Sequence, residues 1–155
     1  MLTALALAAL LQAASPVPAE PHAFVLTGAG RFAVLADLPT RRREGKIAEI
    51  RAVQVSEADF VIGGVAYVGG WSRWRFDCGA QTADRLDFAS LRADGVEGPS
   101  TPEPSPAYPA APGGDAAELM AVACAIDGPA PDVTTLEDAI RLGRAAVAGD
   151  LEPAR

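Results

Sequence analysis

The stretch RWRFDC, residues 73–78, alternates strictly between charged and apolar side chains. Trp74, Phe76 and Cys78 share one parity, and two arginines and an aspartate occupy the other. Successive side chains of a β-strand point to opposite faces, so a period of two predicts a half-buried strand. We expect its inner face to end at Cys78.

Further strands are predicted on both sides of this one. Residues 31–37 and 46–55 are rich in β-formers, and the polar stretch 40–45 between them is predicted to be a loop or hairpin connection. Residues 60–70 are apolar but carry two glycine pairs, which in strands mark bulges, bends or close backbone approach. We expect a kinked ribbon there. Residues 85–91 repeat the alternation less regularly.

The C-terminal third is predicted to be a loop followed by two helices. Six prolines between residues 98 and 114 exclude a helix or a central strand, since proline lacks a backbone donor. Asp115 and Glu118 have capping-box spacing and predict a short helix ending near Cys124, although the alternation there also fits a strand. Thr134 or Thr135 is predicted to begin a second, amphipathic helix.

The N-terminus has the layout of a signal peptide. An apolar run over residues 1–11 is followed by small residues up to Ala19, and the first charged side chain is Glu20. The run is too short for a membrane span, which takes about 20 residues. We predict cleavage after Ala13, Ala14 or Ala19, and a product that is periplasmic, secreted or on the cell surface. The predicted organisation is a signal peptide over 1–19, a linker over 20–30, one domain over 31–150 and a tail over 151–155.

The charge and the motifs of the chain argue against several classes of function. The net charge of −7 makes nucleic acid a poor partner, because its binding depends on many contacts to phosphate. No phosphate-binding or dinucleotide-binding motif is complete, so no cofactor is predicted. The single histidine, His22, falls in the predicted linker, which argues against a triad-type hydrolase and against a metal site. Two cysteines in an exported chain predict one disulfide, Cys78–Cys124.

Two features are candidates for binding. The densest charge cluster consists of Arg41, Arg42 and Arg43. It lies in the segment 31–51, which contains six basic and three acidic residues. A solvated loop is the simpler interpretation, with Arg43 pairing to Asp37 as a structural alternative. Trp71 follows a glycine pair and is the aromatic most suited to an exposed contact, although a core position is the default.

The order and spacing of several short motifs resemble the surface-adhesin E-like domains of small exported bacterial proteins. The motifs are Asp37-x-x-Thr40-x-x-Arg43-x-Gly45, then Phe76-Asp77-Cys78 with Arg85 following, then Tyr108-x-x-x-Pro112-Gly113 leading to Glu118 and Cys124. The sequence departs from the family in having Tyr108 where tryptophan is usual, and in a longer proline-rich insertion.

The resemblance implies a mainly antiparallel β domain with helix toward the C-terminus, bridged cysteines and no catalytic activity. The expected fold class is therefore α+β, with one short helix before the second cysteine and a C-terminal amphipathic helix. We expect an exported, envelope-associated or secreted binding or structural module, whose partner is a protein or an anionic glycan. The alternatives are a small periplasmic hydrolase or an enzyme inhibitor.

Overall fold

The computed structural model of the chain describes residues 21–151. The predicted signal peptide and residues 152–155 of the predicted tail lie outside this range. Within it, the elements in chain order are β1 (Phe24–Ala29), β2 (Ala33–Glu44), β3 (Ile47–Ile62), β4 (Val65–Asp77), β5 (Thr82–Arg85), β6 (Asp87–Arg92), β7 (Thr101–Pro102), β8 (Tyr108–Pro109), α1 (Asp115–Cys124) and α2 (Leu136–Ala148). The predicted α+β class is confirmed.

The strands form an antiparallel sheet in the order β1-β2-β3-β4-β5-β8. β4 is long enough to take two neighbours on the same side. Its C-terminal half pairs with β5, and its N-terminal half pairs with β6, which in turn pairs with β7. The sheet therefore has a long central pair, β3 and β4, that extends beyond its other strands at one end.

One helix packs on each face of the sheet. Val34, Ile50 and Phe76 form a core with Leu119 of α1, whereas Leu35 forms a second core with Ala139 of α2. Val34 and Leu35 are consecutive on β2, so the two cores lie on opposite faces. Trp74 and Phe76 are both buried, as their shared parity predicts.

The disulfide between Cys78 and Cys124 is formed, with a Cα–Cα distance of 5.7 Å. It joins the residue that follows β4 to the last residue of α1. The bridge therefore ties the helix to the strand on which its core is built.

Both predicted helices are present, but only one has the predicted cap. Gly114 precedes α1 without a side-chain cap, so the capping box is wrong and Asp115 lies in the first turn, where an acid suits the helix dipole. Thr135 caps α2 by accepting a hydrogen bond from the Asp138 N–H. Gly149 ends α2 in the left-handed conformation.

Two expectations about connections are wrong. The segment 20–30 is not a linker throughout, because Phe24 is fully buried and begins β1, which pairs with β2 and bridges to Val133. For the segment 40–45 the loop alternative is wrong, because β2 continues to Glu44, whereas the hairpin alternative is correct, because the segment forms the end of the β2–β3 hairpin. A register shift between Asp37 and Arg42 accommodates Pro39, and the turn falls at Gly45, whose φ is +57°.

The glycine pairs in 60–70 do mark a turn and a close approach. Gly63 and Gly64, with φ of +58° and +80°, form the two-residue turn between β3 and β4. A Cβ at Gly69 would lie 1.8 Å from the carbonyl oxygen of Gln54. The predicted kinked ribbon is thus a hairpin whose second strand presses against the backbone of the first.

Between residues 21 and 151, neither helix has the length and apolar content required to cross a bilayer.

Candidate functional site

The three candidate arginines lie on β2 and have different surroundings. Arg43 Nη1 donates to the backbone carbonyl of Cys124 at 2.6 Å, and Arg41 Nη2 donates to that of Ala125 at 2.5 Å. These carbonyls are at the C-terminal end of α1, where the helix has no basic residue of its own. Arg41 and Arg43 therefore satisfy carbonyls that a helix end leaves free. The pairing of Arg43 with Asp37, which was the structural alternative, does not occur, because Asp37 pairs with His22.

Arg42 lies on the same face of the sheet as α2, in the half of that face that the helix does not cover. It lies opposite Glu49 on β3, and Glu49 lies opposite Arg75 on β4. The three line an open groove of about 700 Å³. Beside it, Arg73 pairs with Asp87 at 3.3 Å. Positive and negative side chains alternate across these strands, so the surface does not form the uniform basic patch that an anionic glycan would require.

Trp71 is buried, with 3% of its surface exposed, and is not the exposed contact considered above. Arg51 lies over its ring at 4.6 Å, and the ring of His22 lies 5.8 Å away. Its default interpretation as a core residue is correct, because β1 and the segment before it cover this part of the sheet.

His22 forms a contact that the sequence analysis missed. Its Nδ1 lies 2.8 Å from a carboxylate oxygen of Asp37, a side chain that is almost completely buried. The imidazole also stacks on Phe24 with a centroid distance of 5.0 Å. The sequence signal was available, because His22 has the parity of Phe24, but it is informative only once β1 is recognised as a strand.

A metal centre is not evident in the described part of the chain. Residues 21–151 contain no group of three or more histidine, cysteine or acidic side chains placed to hold an ion. In that range, His22 and Asp37 thus have no third metal-ligating side chain beside them.

Comparison with protein-family models, curated proteins and solved structures finds no match to this chain. The resemblance to surface-adhesin E-like domains stays a prediction.

Three consecutive apolar side chains are exposed at the end of the β3–β4 hairpin, which we call the hairpin tip (residues 57–67). Phe60, Val61 and Ile62 are 39%, 69% and 63% exposed. No charged residue occurs between positions 60 and 67. A contiguous exposed apolar surface on a folded domain is typical of an interaction site.

The hairpin tip also has an open backbone edge. Pairing of β2 with β3 ends at Ala33 and Val55, whereas Phe60, Val61 and Ile62 pair only with β4. On the opposite side, β4 is covered by β6, and the Ala93 N–H bonds to the carbonyl of Ala66. In the described chain, the edge of β3 over residues 60–62 thus has no neighbouring strand.

The base of the hairpin tip is held firmly. Ser56 Oγ bonds to the carbonyls of Ala58 and Val68, and Arg144 of α2 contacts the carboxylate of Asp59. Phe60 stacks on Tyr67 across the two strands, with ring centroids 5.8 Å apart. Because these contacts hold the base of the hairpin tip, its edge does not have to fold before it binds a partner. This lowers the entropy cost of binding.

Proposed function

We propose that this chain is an exported, non-enzymatic binding module of the bacterial envelope, and that it binds an extended segment of a partner protein along the open edge of β3. The single observation that carries the proposal is the coincidence, at residues 60–62, of an unpaired strand edge with exposed apolar side chains. Strand addition uses these two features together: the main chain supplies hydrogen bonds, and alternate side chains supply specificity.

The charges around the edge indicate what kind of segment would bind. Glu57, at the base of the hairpin tip, is exposed and acidic, and the whole chain carries a net charge of −7. An acidic segment would be repelled, whereas an uncharged or basic segment with β-branched or aromatic side chains would pair with Val61 and Ile62.

Export is supported by the disulfide, because oxidising compartments favour such bridges. It is also supported by the apolar leader in the sequence. The resemblance to surface-adhesin E-like domains implies a binding or structural role without catalysis, which agrees with a contact surface made of a strand edge.

The hydrolase alternative would use His22, since a carboxylate-oriented imidazole is a common general base. The geometry favours a structural role for this side chain. The ring lies beside those of Phe24 and Trp71 and holds the buried carboxylate of Asp37. Its position therefore accounts for the burial of Asp37 without a catalytic step.

The proposal is tested by site-specific photo-crosslinking in the living bacterium. A photoreactive amino acid replaces Val61 in one strain and Ile126 in another; both side chains are strongly exposed, at 69% and 86%, and Ile126 lies outside the hairpin tip. We expect a discrete adduct from position 61 only. A further change, Ile62→Lys, should abolish the adduct while leaving thermal stability unchanged, because it alters an exposed side chain.

Two results would overturn the proposal. Equal labelling from positions 61 and 126 would show that the hairpin tip has no specific partner. An adduct with twice the mass of the chain would identify a second copy of this protein in place of a different partner.

A further inference from the structure

The proline-rich segment lies along one edge of the sheet, which we call the outer edge (residues 98–110). β7 pairs there with β6, and β8 pairs with β5. In the part of the chain that the structure describes, neither β7 nor β8 has a second neighbouring strand. Every residue from 101 to 109 except Glu103 is exposed. The outer edge is therefore a side on which a strand from another molecule would extend the sheet.

Three N–H groups of the outer edge donate inward, to carbonyls of the segment 81–90. These bonds are Gly98 to Ser90 at 2.8 Å, Glu103 to Leu86 at 3.0 Å and Ala110 to Gln81 at 2.9 Å. Successive N–H groups of an extended chain point to opposite sides, so the residues that flank these donors face outward. Six positions flank the three donors, and four of them are proline: Pro99, Pro102, Pro104 and Pro109.

Proline changes what the outer edge offers to an arriving strand. Its ring nitrogen carries no hydrogen, so the four outward positions have carbonyls but no donors, and a β-ladder needs both. Proline also keeps the residue before it extended, which holds the segment along the sheet. Glu103 adds an anchor, because Arg85 of β5 donates two 2.6 Å hydrogen bonds to its carboxylate. The outer edge is thus extended and exposed, yet it lacks the donors that strand pairing requires.

Two other edges of the described sheet are closed by different means. On β1, the N–H groups of Phe24 and Leu26 donate at 2.8 Å to a carbonyl and a carboxylate of the segment 132–133. β2 extends beyond β1 and ends in three consecutive exposed charged residues, 42–44, which disfavour pairing with another chain. The edge of β3 over residues 60–62 has neither a covering strand nor a charge or a proline. The described sheet therefore blocks pairing on three edges by three different means and permits it on β3.

We propose that the prolines of the outer edge prevent a second copy of this chain from extending the sheet there. Without them, the outer edges of two copies would pair as antiparallel strands, because both would be extended, exposed and only partly hydrogen-bonded. One consequence rests on the proposed function: a chain with one open edge forms a closed complex with its partner, whereas a chain with two open edges would assemble without end. The closure itself does not depend on strand addition at β3.

The test returns N–H groups to the outer edge. Pro102→Thr with Pro104→Thr places two donors on its outward side. Pro106→Thr with Pro112→Thr is the matched control, since these prolines belong to the same proline-rich stretch but flank none of the inward donors. Both pairs raise the entropy of the unfolded chain by the same kind of change. Both are made in a chain that carries Ile62→Lys, so that the hairpin tip contributes nothing to association.

Analytical ultracentrifugation measures the mass of each variant in solution between about 10 µM and about 1 mM, the range in which unpaired strand edges associate. We expect Pro102→Thr with Pro104→Thr to reach at least twice the mass of one chain as the concentration rises, and the control to keep the mass of one chain. Hydrogen exchange locates the contact: the amides at positions 102 and 104 should exchange about tenfold more slowly in the concentrated sample than in the dilute one.

The proposal is overturned if the first variant keeps the mass of one chain, if the control associates to the same extent, or if the amides at 102 and 104 exchange equally fast at both concentrations. Pro104→Thr alone carries the same test if the double variant does not fold, because Pro104 lies outside β7. None of these results changes what photo-crosslinking from Val61 shows, so the two proposals fail separately.

Discussion

Arg43 and Cys124 are 81 positions apart in the chain, and the guanidinium of the first donates a 2.6 Å hydrogen bond to the carbonyl of the second. The same cysteine forms the disulfide to Cys78. The end of α1 is therefore held twice, covalently from β4 and by hydrogen bonds from β2. The sequence suggests a binding loop at the arginine cluster. In the structure, two of the three arginines instead hold the C-terminal end of this helix.

The three arginines should differ in their effect on stability. Arg41 is half-buried and bonds to the carbonyls of Ala125 and Ile126, whereas Arg42 is exposed and bonds only to carbonyls of its own strand. We expect Arg41→Ser to lower the free energy of unfolding by about 1 kcal/mol, and Arg42→Ser to change it by less than about 0.5 kcal/mol. Urea unfolding of each variant measures both values.

One result would contradict this explanation of the difference between Arg41→Ser and Arg42→Ser. If Arg42→Ser destabilises as much as Arg41→Ser, the contacts with the end of α1 contribute nothing specific, and the loss reflects the strand position alone.

The disulfide should contribute more than any of these hydrogen bonds. Its cysteines are separated by 46 positions, and closing a loop of that length stabilises a fold by about 4 kcal/mol in the chain-entropy model. We expect the variant with both cysteines changed to alanine to lose a comparable free energy of unfolding, measured in urea without reductant. Reductant should lower the stability of the natural chain and leave that of the variant unchanged; a response of the variant to reductant would contradict this explanation.

The alternation of apolar and charged residues predicted those strands in which every second side chain packs against a core. The stretch 73–78 was placed correctly because its alternate side chains meet a core on one face only. The segment 24–29 lacks such alternation, and it becomes a strand through pairing with β2 and a bridge to Val133. Pairing through the backbone and a bridge to a residue as distant in sequence as Val133 leave no periodic trace in a single chain.

The candidate sites were harder to predict for the same reason. The arginines were found by their density, but Arg41 and Arg43 donate hydrogen bonds to residues more than 80 positions away. The apolar run over 60–62 was visible, yet apolar residues are usually buried, and its exposure follows from β2 ending before it. The proline-rich segment was predicted to be a loop, and its place along the outer edge follows from pairing with β5 and β6.

Gly69 should be among the least replaceable residues of the chain. A Cβ there would meet the backbone carbonyl of Gln54 at 1.8 Å, and backbone atoms of a central strand cannot move aside as a flexible side chain can. We expect Gly69→Ala to destabilise by about 3 kcal/mol, since overpacking forces the strands apart. Gly30→Ala is the control, because its Cβ would meet nothing within 4 Å. Thermal melts that fall equally for both would show that the cause is glycine's flexibility and not the close approach.

Asp77 should make stability depend on pH in the acid range. Backbone N–H groups of Ala80 and Gly79 donate to its carboxylate and lower its pKa below the ordinary value; burial opposes this shift, and Lys46 adds to it. A carboxyl whose pKa is lower in the folded state than in the unfolded state stabilises the fold above the unfolded pKa, and this stabilisation is lost as the pH falls through the folded pKa.

Asp77→Ala should therefore melt at a lower temperature than the natural chain at pH 7, because the turn after β4 loses its acceptor. The two melting temperatures should approach each other below about pH 4, where the carboxyl takes up a proton and accepts hydrogen bonds less well. Asp94→Ala is the matched control, since Asp94 accepts a single backbone hydrogen bond, from Val96, in another exposed turn and its other oxygen pairs with Arg92. A difference between natural chain and Asp77→Ala that stays constant from pH 7 to pH 3 would mean that the side chain acts through turn geometry alone and that its charge contributes nothing.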